Sequence, residues 1–342
     1  MTPLVSIGIP VFNAQRYLRE ALDSLIAQDY ENLELVISDN ASTDDTAAIC
    51  REYAARDPRV RYERAEQNQG AVWNFNHVYG LARGRYFMWA AFDDLRAPTY
   101  VRRCVERLEA QPSAVLCCTD VRLIDEAGRS LQPDPRMRLA HPVGGSPAAR
   151  VRALAGANFW VDFYGLIRRE TLATTRLAQP IWGFDLLLLL ELCLRGDVVV
   201  VPEELFAYRI FSDKSQADLA VGLAGPGSAG NVAVSWSNLA LEMAHSISLA
   251  PISRLEKVSL TARLLTRFCL LNHTVRGYVR SDVARSARQS VSRHRYGRAL
   301  ALVGIAAAVY PIQHDVGKAV FQRVRGLRRS SGAGTMGPPG LD

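Results

Sequence analysis

Apolar positions in the first two hundred residues follow two patterns that alternate along the chain. Short unbroken runs, at 5–9, 33–37, 60–63, 85–90, 114–119 and 198–201, are rich in Val, Ile, Leu and aromatics and read as strands buried on both faces. Longer stretches between them carry apolar residues at helical spacing. In 14–28, Tyr17, Leu18, Ala21, Leu22, Leu25 and Ile26 form one stripe. Further helices are predicted over 71–82, 99–110 and 185–195, and another to about Arg56, capped by Ser42 or Thr43 with Asp44 and Asp45 in its first turn. Strand and helix in alternation predict an α/β fold with a mainly parallel sheet flanked by helices.

Periodicity fails at 133–147, where prolines and glycines interrupt it, and at the Gly/Ala/Ser-rich stretch 220–230. These breaks divide the chain into a first domain over 1–219, a boundary at 220–230, a helical region over 231–330 and a disordered Gly/Pro tail over 331–342. Charge reinforces the division. The chain carries +7, but 252–330 holds sixteen Lys/Arg against three acids, so the rest of the chain, at net −6, is a mildly acidic body beside a strongly basic region. Such a block points to an anionic partner surface or to a solvated basic face. Without an aromatic-studded basic strand, nucleic acid is the weaker partner. Arginines beside apolar faces, as at Leu260, Leu264, Leu265 and Phe268 near Arg263 and Arg267, favour a membrane surface.

No apolar stretch reaches the length of a conventional membrane span; 299–312 comes nearest and suits a buried or interfacial helix. Nothing at the start reads as a secretion signal. The six cysteines form no C-x-x-C pair or metal-ligand spacing and read as small core residues of a reducing cytosol. Together these place the chain in the cytoplasm, peripheral at the inner face of the membrane.

Ligands of open α/β sheets sit beyond the carboxyl ends of the strands, and polar residues gather there. Pro10-Val-Phe-Asn13 follows the first strand, Asp39-Asn-Ala-Ser-Thr-Asp44 the second, Asn68-Gln-Gly70 the third with Asn74 and Asn76 behind, and Asp93-Asp94 the fourth. Asp39 suits either an Asx turn or acceptance of the imide N–H of uracil or thymine. Adjacent carboxylates repel, and burying them requires a cation; hard Mg²⁺ or Mn²⁺ bound by one or two carboxylates and substrate phosphates fits. An exposed Asp-Asp loop capping the next helix is the alternative. Asp185, at the start of a leucine-rich helix, suits an acid that complements the helix dipole.

Taken together, 5–13, "LELVISDNASTDDT", "NQGAVWNFN", "ARGRYFMWAAFDDLRAP" and "WGFDLLLLLELCLRG" resemble the family-2 inverting glycosyltransferases of the GT-A fold over roughly the first 212 residues. The resemblance implies a transferase that moves a sugar from a nucleotide-diphosphate donor, UDP- or dTDP-linked if Asp39 reads an imide, to a hydroxyl of a glycan or lipid-linked acceptor. A non-catalytic nucleotide-sugar or membrane-binding module of the same fold is the alternative. The resemblance further implies nucleotide contacts from Pro10, Phe12, Asn13, Asp39, Ser42, Asn68, Gly70 and Asn74. It assigns the ribose to Asp93, Mn²⁺ or Mg²⁺ to Asp94, and the catalytic base to Asp185, whose pKa should be raised in a partly desolvated cleft. Acceptor choice falls to 133–147 and 158–164. One departure stands out. Phe211 follows Tyr208 and Arg209 where members often carry a histidine, leaving Asp213 or Lys214 to meet the diphosphate.

Overall fold

Each apolar run becomes a strand of one sheet. In the computed structural model, which describes residues 2–132, 141–143, 145–157, 159–211 and 236–265, these are β1 (Val5–Val11), β2 (Leu33–Asp39), β3 (Val60–Arg64), β4 (Tyr86–Trp89), β5 (Leu95–Arg96), β6 (Ala114–Ile124), β7 (Leu166–Arg168) and β8 (Asp197–Arg209). They lie in the order β3-β2-β1-β4-β7-β6-β8-β5. β1 to β4 are mutually parallel, and β6 is parallel to β8. β7 and β5 run antiparallel to their neighbours. The carboxyl ends of β1, β2, β4, β6 and β8 therefore share one edge of the sheet.

Helices cover both faces. α1 (Leu18–Ile26), α2 (Thr46–Arg56) and α4 (Tyr100–Ala110) pack one face with Val5, Ile7, Ile9 and Val11 of β1. The other is covered by α3 (Ala71–Leu81), α5 (Pro147–Gly156) and α7 (Phe184–Cys193). The short α6 (Arg169–Leu172) follows β7 directly. Gly8 shows why the second face closes so tightly: a Cβ there would lie 2.7 Å from the Phe87 ring. α7 is apolar all round because it is enclosed all round, with Leu186 to Leu190 each no more than 1% exposed.

Several expectations shift. α1 begins at Leu18 rather than 14, because 14–17 form a turn in which the Ala14 N–H donates to the Thr46 hydroxyl. Neither Ser42 nor Thr43 caps α2; the Thr46 N–H is met by Asp44 instead. β6 and β8 run several residues past their apolar runs, through register shifts around Asp120 that let polar residues keep the ladder. β5 and β7 are too short to leave a periodic trace.

Two further helices, α8 (Trp236–Leu249) and α9 (Arg254–Leu265), share the core of α5 and α7: Trp236, Leu239, Met243, Ile247, Leu260 and Leu264 are all buried there. Leu260 and Leu264, expected on a membrane-facing side, thus point inward. Burial against α5 and α8 costs less than presenting both faces of α9 to water. The five described cysteines are free and buried, as expected of small core residues. No helix among the described residues is long and apolar enough to cross a membrane. The boundary at 220–230, the stretch 299–312, Asp213, Lys214, Leu265's side chain, Arg267, Phe268 and the tail 331–342 lie outside the described residues.

Candidate active site

The loops after β1, β2 and β3 are stitched into one body. Asp39 is fully buried at the end of β2. Its carboxylate accepts the Ser42 N–H at 2.8 Å, the Tyr62 hydroxyl at 2.9 Å and Arg64 Nε at 3.2 Å. The Asx turn is therefore real, and it leaves the carboxylate about one of its four acceptor positions. The Ser42 hydroxyl accepts the Asn13 N–H at 3.0 Å, and Asn13 Oδ1 accepts the Thr43 N–H at 2.9 Å. Asn40 Nδ2 donates to Asn68 Oδ1 and the Gly70 carbonyl, and its Oδ1 accepts the Gln69 N–H. Asn13 (φ 48°) and Ala41 (φ 62°) sit in the left-handed region in these same turns. Ala41 pays a steric cost of about 1 kcal/mol to do so.

Not every residue expected to touch a nucleotide is free to do so. Pro10 is buried inside β1, opposite Ser38. Asn74 is buried with Oδ1 on the Ser38 hydroxyl and both amide protons on the Val11 and Ser38 carbonyls. Ser42 is likewise buried and spent on Asn13. These three hold the strand ends in register. Phe12, at 41% exposed, is the large apolar side chain these loops present to solvent. Gly70, at φ 88°, supplies the turn into α3 that a side chain would strain.

At the end of β4 the Asp93-Asp94 turn is held from behind. Asp94 is 4% exposed; its Oδ1 accepts the Arg209 N–H at 2.9 Å, while its Oδ2 is buried without a hydrogen-bond partner among the described residues. Desolvation, helped by the neighbouring Asp93 charge, pushes its pKa up to about 7. β5 separates the pair from α4, so the turn is neither an exposed loop nor a helix cap. Arg209 is the anchor. Its guanidinium donates to the Asp93 carbonyl at 2.8 Å, the Asp125 and Glu126 carbonyls at 3.1 and 3.2 Å, and Glu20 at 2.8 Å, and lies 4.5 Å from the Tyr17 ring centre. Phe211 packs edge-on against the same ring at 5.6 Å.

Across the cleft, Gly183 (φ 79°) turns the chain into α7 and brings Asp185 into its first turn. Asp185 Oδ1 accepts the Leu186 N–H at 2.8 Å, and burial raises its pKa despite that bond. α8 backs this turn: Trp182 and Trp236 rings meet at 4.3 Å, and a Cβ on Gly183 would lie 2.7 Å from Leu239. Arg176 ties the same helices together by bonding Glu191 on α7 and Glu242 on α8 at 2.8 and 2.9 Å. Tyr164 and Tyr208 are each raised above the ordinary phenol range, by burial and then by nearby charges that include Asp93, Asp94 and Asp185. Residues 93, 94 and 185 thus lie within electrostatic reach of the same two phenols. His141 pairs with Asp162 at 3.2 Å, joining the described end of the 133–147 loop to the 3-10 turn Val161–Tyr164.

The structure brings Asn13, Asp39, Asn68 and Gly70 into one hydrogen-bonded cluster, with Asp93, Asp94 and Asp185 around the two phenols. Sequence reasoning gave no role to Asn40, Tyr62, Arg64, Tyr208 and Arg209, and took Tyr164 only as the end of the stretch 158–164 expected to set acceptor choice. Tyr208-Arg209 was visible beside the missing histidine; the others leave no local signal. Among the described residues no group of three or more His, Cys, Asp and Glu could hold a metal ion. A hard cation here would draw on the Asp93-Asp94 carboxylates and complete its shell from phosphate and water. The unpartnered oxygen of Asp94 beside a second carboxylate fits that donor set.

Residues 6–172 match the model of glycosyl transferase family 2. A protein of Mycobacterium tuberculosis described as uncharacterized is 31% identical over 209 residues, covering 60% of this chain and 58% of its own length. The chain thus spans little more than half of that relative. A glycosyltransferase of Rickettsia typhi, also described as uncharacterized, is 35% identical over 141 residues, 40% of this chain and 42% of its own. Chondroitin synthase of Escherichia coli is 36% identical over 126 residues, 37% of this chain and 18% of that one. Among solved structures, S. aureus TarS 1–349 superposes with a TM-score of 0.63 at 16% identity, covering 90% of this chain and 83% of that chain. Its complex with UDP-GlcNAc gives 0.60 at 18%, covering 77% and 72%.

Proposed function

The chain carries, in residues 6–172, a family-2 glycosyltransferase domain of the GT-A fold, and from that premise we propose that it is an inverting transferase moving a sugar from a UDP- or dTDP-linked donor to a hydroxyl of a glycan or lipid-linked acceptor. One observation carries the reading: Asp93-Asp94 and Asp185, ninety residues apart in sequence, both act on Tyr164 and Tyr208. The two acidic ends thus lie within electrostatic reach of the same pair of phenols. TarS, which shares the fold, holds UDP-GlcNAc.

The residues divide the work as follows. Asp39 offers its remaining acceptor position to the imide N–H of the base, with Tyr62 and Arg64 fixing the carboxylate. Phe12 supplies an exposed ring beside that pocket, and Asn13, Asn68 and Gly70 shape its walls. Asp93, half-exposed, faces the diphosphate and the cation, and Asp94 stands behind it, held by Arg209. One oxygen of Asp94 is spent on the Arg209 N–H, and the other, buried and unpartnered among the described residues, is left for the cation. Mn²⁺ or Mg²⁺ bound there would offset the negative charge that develops on the leaving diphosphate. Asp185 accepts the proton of the acceptor hydroxyl, and the upward shift that burial gives its pKa makes its carboxylate a stronger base.

We take the transferase unit to continue through α9 instead of ending at 219, because α8 packs on the turn that carries Asp185. Membrane contact belongs to the outer side of α9. Leu255 and Val258 are 84% and 71% exposed beside Arg254, Lys257 and Arg263, and the basic stretch continues beyond them. Apolar side chains among arginines suit an anionic lipid surface. Flotation of the full chain with anionic and neutral liposomes tests this: equal flotation with both, or none, refutes it.

The catalytic reading is tested by a thermal-shift screen of nucleotides and nucleotide sugars with and without Mn²⁺, followed by donor turnover. Asp185→Asn should abolish transfer while sparing Mn²⁺-dependent UDP binding. Transfer at the wild-type rate by that variant refutes the base assignment. Binding without turnover in the wild type favours a non-catalytic module.

A further inference from the structure

Tyr164 and Tyr208 are placed by contacts that fix their rings and leave their hydroxyls uncommitted. Tyr208 directly precedes Arg209, whose backbone N–H holds Asp94. Tyr164 closes the 3-10 turn Val161–Tyr164, where Phe163 packs 5.5 Å from Phe184, the neighbour of Asp185. Phe206 joins the two tyrosine rings, at 6.2 Å from Tyr164 and 6.0 Å from Tyr208. Phe159 abuts Tyr208 edge-on at 5.0 Å, and the Tyr164 carbonyl accepts the Tyr100 hydroxyl at 3.2 Å. A continuous run of aromatic contacts thus connects the Asp93-Asp94 turn to the Asp185 turn. Both tyrosines are half-buried rather than sealed, and neither hydroxyl hydrogen-bonds a described residue.

Rings used purely for packing need no hydroxyl, and phenylalanine fills that role throughout this cluster, at 159, 163, 184 and 206. A phenol costs desolvation wherever it is half-buried and unpaired. The two positions that carry one are those beside the acidic ends of the cleft. We propose that the Tyr164 and Tyr208 hydroxyls bind the sugar ring of the donor, holding it between Asp93-Asp94 and Asp185 and setting which sugars are accepted. This rests on the transferase reading above. The phenols act as hydrogen-bond donors to sugar oxygens; the surrounding carboxylates and burial keep them protonated. A sugar whose hydroxyl points away leaves a donor unpaired in a half-buried cleft, and that penalty is the source of discrimination.

The test uses the full chain and the Tyr164→Phe, Tyr208→Phe and double-Phe variants, which keep every ring contact. UDP binding and the binding and hydrolysis of a panel of UDP-hexoses and UDP-N-acetylhexosamines are measured with Mn²⁺. Each single variant should lower kcat/KM for the preferred sugar by roughly fivefold to tenfold, and the double variant further. UDP alone should bind within about twofold of wild type, since the nucleotide end is untouched. The preference among sugars should narrow in the double variant. Unchanged turnover and preference in the double variant overturn the proposal, as does a loss of UDP binding equal to the loss of sugar-nucleotide binding. A wild type that turns over donors while the variants match it refutes this inference alone. A wild type that binds none of them refutes the transferase reading with it.

Discussion

Replacing Arg209 tests whether the Asp93-Asp94 turn is held from β8. The guanidinium is 1% exposed and makes four bonds. Three of these end on the main-chain carbonyls of Asp93, Asp125 and Glu126. The fourth reaches Glu20, whose side chain is 52% exposed, so that ion pair contributes little. Arg209→Met keeps most of the aliphatic volume, and cavity cost stays small. What remains is three acceptors deprived of charge-assisted donors, a loss of roughly 3–5 kcal/mol after partial rehydration. For a unit of this size that lowers Tm by about 10 °C. Mn²⁺-dependent nucleotide binding should weaken as well, because the Asp93 carbonyl and its turn lose their anchor. Arg209→Lys restores the charge but cannot span three carbonyls, so it should recover less than half of the lost stability. The measurements are thermal and urea unfolding, with calorimetric UDP titration in Mn²⁺. A Met variant within about 2 °C of wild type with unchanged UDP affinity refutes the reasoning.

Other consequences follow from the same geometry. Asp94, raised to about 7, holds a proton in the metal-free folded chain that the unfolded chain releases near pH 4. Its contribution to stability is therefore full below about pH 4, declines as pH rises and is lost above about 7. With chelator present, the Tm of wild type relative to Asp94→Asn should fall between about pH 4 and 7; a constant difference counts against the shift. Gly183→Ala meets both a left-handed φ of 79° and Leu239 at 2.7 Å. It should cost roughly 1–3 kcal/mol and reduce kcat, with Leu239→Ala relieving the clash but not the backbone strain. Full activity in the single variant would show that α8 does not position Asp185. Leu255→Asp with Val258→Asp should abolish flotation with anionic liposomes while leaving Tm within about 1 °C, since both side chains are exposed. Retained flotation would move the contact elsewhere.

The alternation of strand and helix was legible wherever an element buried a continuous face. Val5 to Ile9 and Leu33 to Ile37 are apolar because both faces of the sheet are covered, and that leaves a run in the chain. Strand ends were legible too, as acids and amides clustered after each run. β5 and β7 were not. Two or three residues cannot show a period, and what makes them strands is the partner beside them, Ala207 with Leu95 and Ile167 with Phe87. Leu260 and Leu264 show the converse limit: an amphipathic stripe announces that one side will be buried, while protein and lipid write the same pattern.

The amino-acid sequence by itself determined the α/β class, the order of the principal strands and the acidic residues at their ends, because hydrophobic period and turn chemistry are local properties. Tertiary structure alone decided which of those polar residues face outward. Asn74, Ser42 and Asp94 each fasten one strand end to another, through partners 29 to 115 positions away. The same long-range packing brings two tyrosines, 44 positions apart, within electrostatic reach of the carboxylates of 93, 94 and 185. Hydrogen-bond partners and electric fields depend on distance in space, and no local pattern encodes that.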